Sequence, residues 1–153
     1  MRLALFQPDI PQNLGAAIRL VACFGVPLEV IEPCGFPLSD GKLGRAALDY
    51  GHAAKVLRHD GWKNFLADPG RAEGRLVLFT TKSASPYAEF SFEPGDTLLF
   101  GRESAGAPDD VHDAADARLY IPIHGRSLNV VTAAAIALAE ALRQTGGFPS
   151  PLV

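Results

Sequence analysis

The sequence predicts an α/β protein, a mainly parallel sheet with helices on both faces, and two observations carry that reading. Strand-like and helix-like segments alternate almost throughout the 153 residues. The strand-like runs are also continuously apolar rather than alternating, which is the signature of strands buried on both faces. No internal repeat, linker or composition break divides the chain, so residues 1–153 are expected to form a single domain.

Arg2 to Phe6 is a short apolar strand, and Gln7 to Gln12, with Pro8 and Pro11, is a stiff exit loop. Asn13 is placed to cap a helix in which Leu14, Ala17, Ile18, Val21 and Ala22 recur at helical spacing, and Gly25 stops it. Arg19 lies off that apolar stripe, on the side of Gly15, and reads either as a solvated cation or as a ligand contact. Cys23 falls in the apolar pattern and reads as small core filler.

Leu28 to Ile31 is a second strand, followed by a Pro and Gly loop from Pro33 to Pro37. Lys42 to Tyr50 is weakly helical, with Lys42 and Arg45 one turn apart, suited to solvent or to phosphate. Ala54 to Leu57 reads as a short strand and Trp62 to Leu66 as a short helix. Arg75 to Thr81 holds the clearest internal strand and ends in two hydroxyl residues. Ser83 to Pro94 is irregular. Thr97 to Phe100 is a further strand running into Gly101 to Gly106, and Asp109 to Ala115 is a short helix. Arg118 to Gln144 then passes from a strand, through Pro122 and His124-Gly125, into a long Ala-rich helix, with Arg126, Ser127 and Asn129 gathered at the turn.

Composition narrows the function classes. With 48% hydrophobic and 20% charged residues the chain is an ordinary globular protein, and its net charge of −3 argues against wrapping nucleic acid over the whole surface. A basic patch among its 14 Lys and Arg stays possible. The first residues are too short an apolar run for a signal peptide, and no stretch reaches membrane-spanning length free of polar residues. The two Cys lack metal-type spacing and fit a reducing cytoplasm, so neither a metal nor a membrane is expected.

The loop from Gly101 to Gly106 has no Lys-Ser or Lys-Thr after it, so Walker-type hydrolysis fits poorly, and neither a dinucleotide fingerprint nor a G-x-S-x-G elbow is present. What remains is two loops at strand ends, Gly101 to Gly106 and Ile121 to Asn129, with Thr80-Thr81 as a third. Glu103 is an acid able to anchor amides or a cation, or an exposed loop residue. Arg126 and Ser127, read as a helix start, suit an anion. Asn129 is either a cap or a site residue. Spacing alone therefore ends at a nucleotide-like ligand on an α/β sheet.

Three segments together resemble the motifs of the SPOUT (trefoil-knot) RNA methyltransferases. They are P-x-N-x-G-x-x-x-R at Pro11, Asn13, Gly15 and Arg19, L-L-F-G-R-E-S-A-G ending at Gly106, and I-P-I-H-G-R-S-L-N from Ile121 to Asn129 before an Ala-rich helix. The segments Ile31 to Phe36 and Arg45 to Tyr50 are similar to the minimal branch that methylates the ribose 2′-oxygen of the tRNA wobble cytidine or uridine.

That resemblance implies S-adenosylmethionine as methyl donor, a cytoplasmic homodimer, tRNA as partner, and a deep C-terminal trefoil knot, where general topology rules alone predict an unknotted sheet. It implies cofactor contacts at Phe79, Thr80, Gly101, Ile121, Ile123, Ser127 and Leu128, with Arg19, Glu103, Ser127 and Asn129 as the catalytic set. An rRNA 2′-O-methyltransferase and a non-catalytic RNA-binding protein of the same fold are the rival readings. The sequence departs from the wobble-methylating branch in a short Pro122 to Gly125 loop, and in Ala139 and Leu142 where aromatics are usual.

Overall fold

The computed structural model describes residues 1–48, 54–83 and 85–151. Six strands form one sheet: β1 (Arg2–Phe6), β2 (Leu28–Ile31), β3 (Val56–His59), β4 (Leu76–Phe79), β5 (Thr97–Phe100) and β6 (Ala117–Leu119). Their spatial order is β3-β2-β1-β5-β4-β6, and every pairing is parallel. Six α-helices accompany them: α1 (Pro11–Phe24), α2 (Asp40–Leu48), α3 (Trp62–Ala67), α4 (Pro69–Ala72), α5 (Asp109–Ala114) and α6 (Val130–Thr145).

The absence of alternation in the strands now has its cause. Side chains of one strand point alternately to opposite faces, and both faces are covered. Leu3, Leu5, Val77, Leu98 and Phe100 enter a core shared with α1 and α6, while Ala4, Phe6, Leu76, Leu78 and Leu99 enter a second core shared with α3 and α5. A polar residue on either register would be buried. Glu29 is such a residue, fully buried in β2, and it is met by Arg2 at 2.6 Å and by His59 at 2.5 Å.

The strands and helix α3 lie close to their expected places, with β3 shifted to Val56–His59 and β4 and β6 trimmed at their ends. Helix α4 was not expected. It is a single turn started by Pro69 and capped by the Asp68 side chain, which accepts the Arg71 N–H at 3.1 Å. The expected helix from Lys42 starts two residues earlier, and its end at Tyr50 lies outside the described residues.

Two sequence expectations fail on α1. Asn13 is no cap: the helix begins at Pro11, which needs no N–H partner, and Ile10 is the cap residue without a side-chain bond. Asn13 sits inside the first turn, buried, its side chain free for a tertiary role. Cys23 is exposed rather than core. Leu14, Ala17, Ile18 and Val21 face the sheet, while Gly15, Ala16, Arg19 and Cys23 form the uncovered back of the helix. Among the described residues no helix is long and apolar enough to cross a membrane.

Candidate functional site

The strand order reverses between β1 and β5, and open parallel sheets bind ligands outside the carboxyl ends of the strands beside such a point. A cavity of about 500 Å³ lies there. Its walls come from the exits of four strands: Ile10 and Asn13 after β1, Phe79 to Lys82 at β4, Gly101 to Glu103 and Ala105 to Ala107 after β5, and Ile121, Ile123 and Ser127 to Val130 after β6.

The floor is aromatic. Phe79 and Phe100 are register partners on neighbouring strands, and their rings stack at 5.0 Å between centroids and 13° between planes. Thr80, one residue on, is held by its N–H to the Leu119 carbonyl at 2.8 Å, and its hydroxyl oxygen accepts the Lys82 N–H at 3.2 Å. Gly101 leaves β5 where the chain doubles back on itself. A Cβ there would stand 2.4 Å from the Gly106 carbonyl carbon and 2.5 Å from the Ala107 nitrogen, so no larger residue fits. Arg102 and Gly106 close the loop by exchanging two backbone hydrogen bonds, at 3.0 and 2.8 Å, with Gly106 at φ +68°.

Glu103 is anchored, not idle. One carboxylate oxygen accepts the Asp9 backbone N–H at 2.9 Å and the other accepts the Asn13 side-chain amide at 3.1 Å. Asn13 in turn accepts from the Asn129 amide at 2.9 Å. Asn129 combines both of its sequence readings, because its carbonyl oxygen also caps α6 by accepting the N–H groups of Val131 and Thr132. The three loops of the site are thus joined through side chains of Glu103, Asn13 and Asn129.

Asp9 extends this network. The Ser104 hydroxyl donates to its carboxylate, and Arg102 Nε approaches it at 3.9 Å. The Asp9 carboxyl is held below its ordinary value by the neighbouring Glu103 side chain first and by the Ser104 hydroxyl next. The Asp9 carboxyl therefore gives up its proton readily.

All seven expected cofactor-contact residues, Phe79, Thr80, Gly101, Ile121, Ile123, Ser127 and Leu128, line this one cavity, as do Glu103 and Asn129. Arg19 does not. It lies on the exposed back of α1, six residues past Asn13, or roughly 9 Å along the helix. Arg126 and Ser127 precede α6 rather than starting it, since the helix begins at Val130, so the expected anion site at a helix start is not formed by them.

Sequence reasoning missed Asp9, Ile10 and His112. Asp9 and Ile10 carry a readable signal, their place just past the carboxyl end of the first strand. His112 carries none: it lines the cavity from α5, is 8% exposed, and its Nε2 is buried without a hydrogen-bond partner. No cluster of His, Cys, Asp and Glu among the described residues is arranged to hold a metal ion.

The cavity fits S-adenosylmethionine by its chemistry. An adenosine needs a flat apolar slot with a few polar groups, and a volume near 500 Å³ is in the range of small-ligand sites. Phe79, Phe100, Ile121 and Leu128 supply apolar walls, and the orphaned His112 nitrogen, Thr80 and Ser127 supply polar ones.

Residues 1–139 match the model of the SpoU rRNA methylase family. The chain is 53% identical over 146 residues to the tRNA (cytidine(34)-2′-O)-methyltransferase of Beijerinckia indica, covering 94% of this chain and 91% of that protein. A solved structure described as giving insights into the 2-OH methylation of C/U34 on tRNA superposes with a TM-score of 0.83 at 42% identity, covering 94% of both chains. An S-adenosylmethionine-bound rRNA methyltransferase from Sinorhizobium meliloti superposes at 0.78 with 27% identity, and there the match spans 93% of this chain but 55% of that one.

Proposed function

The chain belongs to the SpoU rRNA methylase family, and from that premise we propose that it is a tRNA methyltransferase acting on the ribose 2′-oxygen of the wobble cytidine or uridine, nucleotide 34. The observation that carries the reading is the hydrogen-bonded set Glu103, Asn13 and Asn129, one residue from each of three motifs, at the wall of one cavity. The choice of tRNA over rRNA rests on the near full-length match to the Beijerinckia indica enzyme, whereas the match spans only 55% of the rRNA enzyme from Sinorhizobium meliloti.

Bound S-adenosylmethionine supplies a sulfonium methyl group open to attack by an oxygen nucleophile. Phe79, Thr80, Gly101, Ile121, Ile123, Ser127 and Leu128 line the cavity and would hold it. Glu103 fixes Asn13, and Asn13 fixes Asn129, so the rim where the ribose hydroxyl must arrive is set before substrate binds. Ser127 and Asn129 place cofactor and substrate against each other.

Arg19 acts as a cation that orients the hydroxyl and the substrate phosphate, because a guanidinium offers N–H donors and no acceptor. Its position outside the cavity means that it engages from the RNA side. We assign the protein to the cytoplasm as a homodimer of single-domain chains (1–153). The Ala-rich α6 is the candidate dimer face, and Arg118 to Gln144 forms the threaded segment of the knot.

Mass spectrometry of nucleosides from tRNA incubated with the protein and labelled donor tests the reading. Label on the wobble ribose is expected; an unlabelled anticodon beside labelled rRNA overturns it. Arg19→Ala is expected to retain cofactor binding by calorimetry and to lose turnover by roughly 100-fold.

A further inference from the structure

An incomplete pair stands at the cavity wall, where Arg102 lines the space and Asp9 lies outside the lining. Two buried atoms, Arg102 Nε and Asp9 Oδ1, have no hydrogen-bond partner. The same two residues approach at 3.9 Å, Nε to Oδ2, which is a charge contact and too long for a hydrogen bond. Asp9 has no freedom to close the gap, because its backbone N–H is committed to Glu103 and its carboxylate to the Ser104 hydroxyl. The Nε edge of Arg102 is therefore buried and pinned by charge, while its side chain remains 36% exposed on the cavity wall beside Ile10, Asn13 and Glu103.

Resting on the function proposed above, we infer that Arg102 receives an RNA backbone phosphate next to the reacting ribose and positions that ribose. Every internal 2′-hydroxyl has a phosphodiester on the adjacent 3′-oxygen, so a cation at the end where the hydroxyl enters lies within reach of one. The chain as a whole carries −3, so a polyanion must be met by locally placed cations. A guanidinium offers two parallel N–H donors to a phosphate, and Asp9 aligns the fork by holding the opposite edge. A water carried in with the phosphate would bridge the orphaned Nε and Oδ1 on the edge that faces Asp9.

The same fork also suits the carboxylate of the methyl donor, and the test separates the two anions. Arg102→Gln and Arg102→Lys are compared with the unaltered protein in steady-state methylation of tRNA, in cofactor calorimetry, and in tRNA binding over a salt series. Arg102→Gln is expected to raise KM for tRNA about tenfold with kcat within about threefold, and to reduce the slope of log K against log salt by about 0.7, one single-strand phosphate contact. Arg102→Lys is expected to keep the slope and to show an intermediate KM, because it retains the charge and loses the fork. Cofactor affinity is expected unchanged in both, which also reports that they fold. An unchanged KM and slope in Arg102→Gln overturns the inference, as does weakened cofactor binding with tRNA binding intact. Failure of the underlying function appears separately, as unaltered protein that leaves ribose 34 unmethylated.

Discussion

The loop from Gly101 to Gly106 and the segment 121–128 line the same cavity, and they are held in different ways. The first is closed by two backbone hydrogen bonds of its own and anchored to the β1 exit through Glu103 and Ser104. None of the hydrogen bonds described involves the second; six of its eight residues are exposed, and it is held at its start by Tyr120 and the packing of Ile121 and at its end by Asn129. One wall is therefore finished by hydrogen bonds of the protein itself, while the other is loose and largely exposed. The difference teaches where binding free energy is spent: a finished wall costs nothing to order, a loose one must be ordered by the ligand.

The sharpest break of this contrast is Gly101→Ala. A methyl group placed 2.4 Å from backbone forces the finished wall apart, so unfolding free energy should fall by about 1–3 kcal/mol and calorimetric heat with S-adenosylmethionine should vanish. On the loose wall Ile123→Ala should do the opposite in kind. Ile123 is 39% exposed, so stability should stay within about 0.5 kcal/mol, while cofactor affinity drops about fivefold as its share of apolar contact is lost. A large thermal destabilisation by Ile123→Ala would show that this wall is also preformed.

The smallest effect is expected from pH. Asp9 titrates below its ordinary 3.8, so its support of the finished wall is fully present above pH 3.8 and is lost only as the pH falls through the lower folded value. Cofactor heats should stay flat from pH 8 to about 5 and decline only at the acid end, and a decline centred near pH 6 would contradict the assignment.

The same contrast explains what was legible in the sequence. The central strands were readable because each has a core on both sides, so residues such as Leu98 and Leu99 are apolar in succession. The cavity residues were readable only through motif resemblance, because contacts such as those of Thr80 and Gly101 are made by backbone and leave little trace in residue type. Asn13 misled because a helix-capping side chain and one recruited by Glu103, 90 residues away, have the same identity. Cys23 misled because helical spacing identifies an apolar stripe without saying whether another element covers its flank. Nothing in the sequence distinguished the unpaired His112 from a satisfied core histidine.

The bond from Asn129 to Asn13 spans 116 residues of chain. During synthesis α1 and the first loop leave the ribosome long before α6 exists, and in that interval Asn13 lacks the partner that orients it. The link between the first and third loops of the site is therefore completed only when the last helix docks.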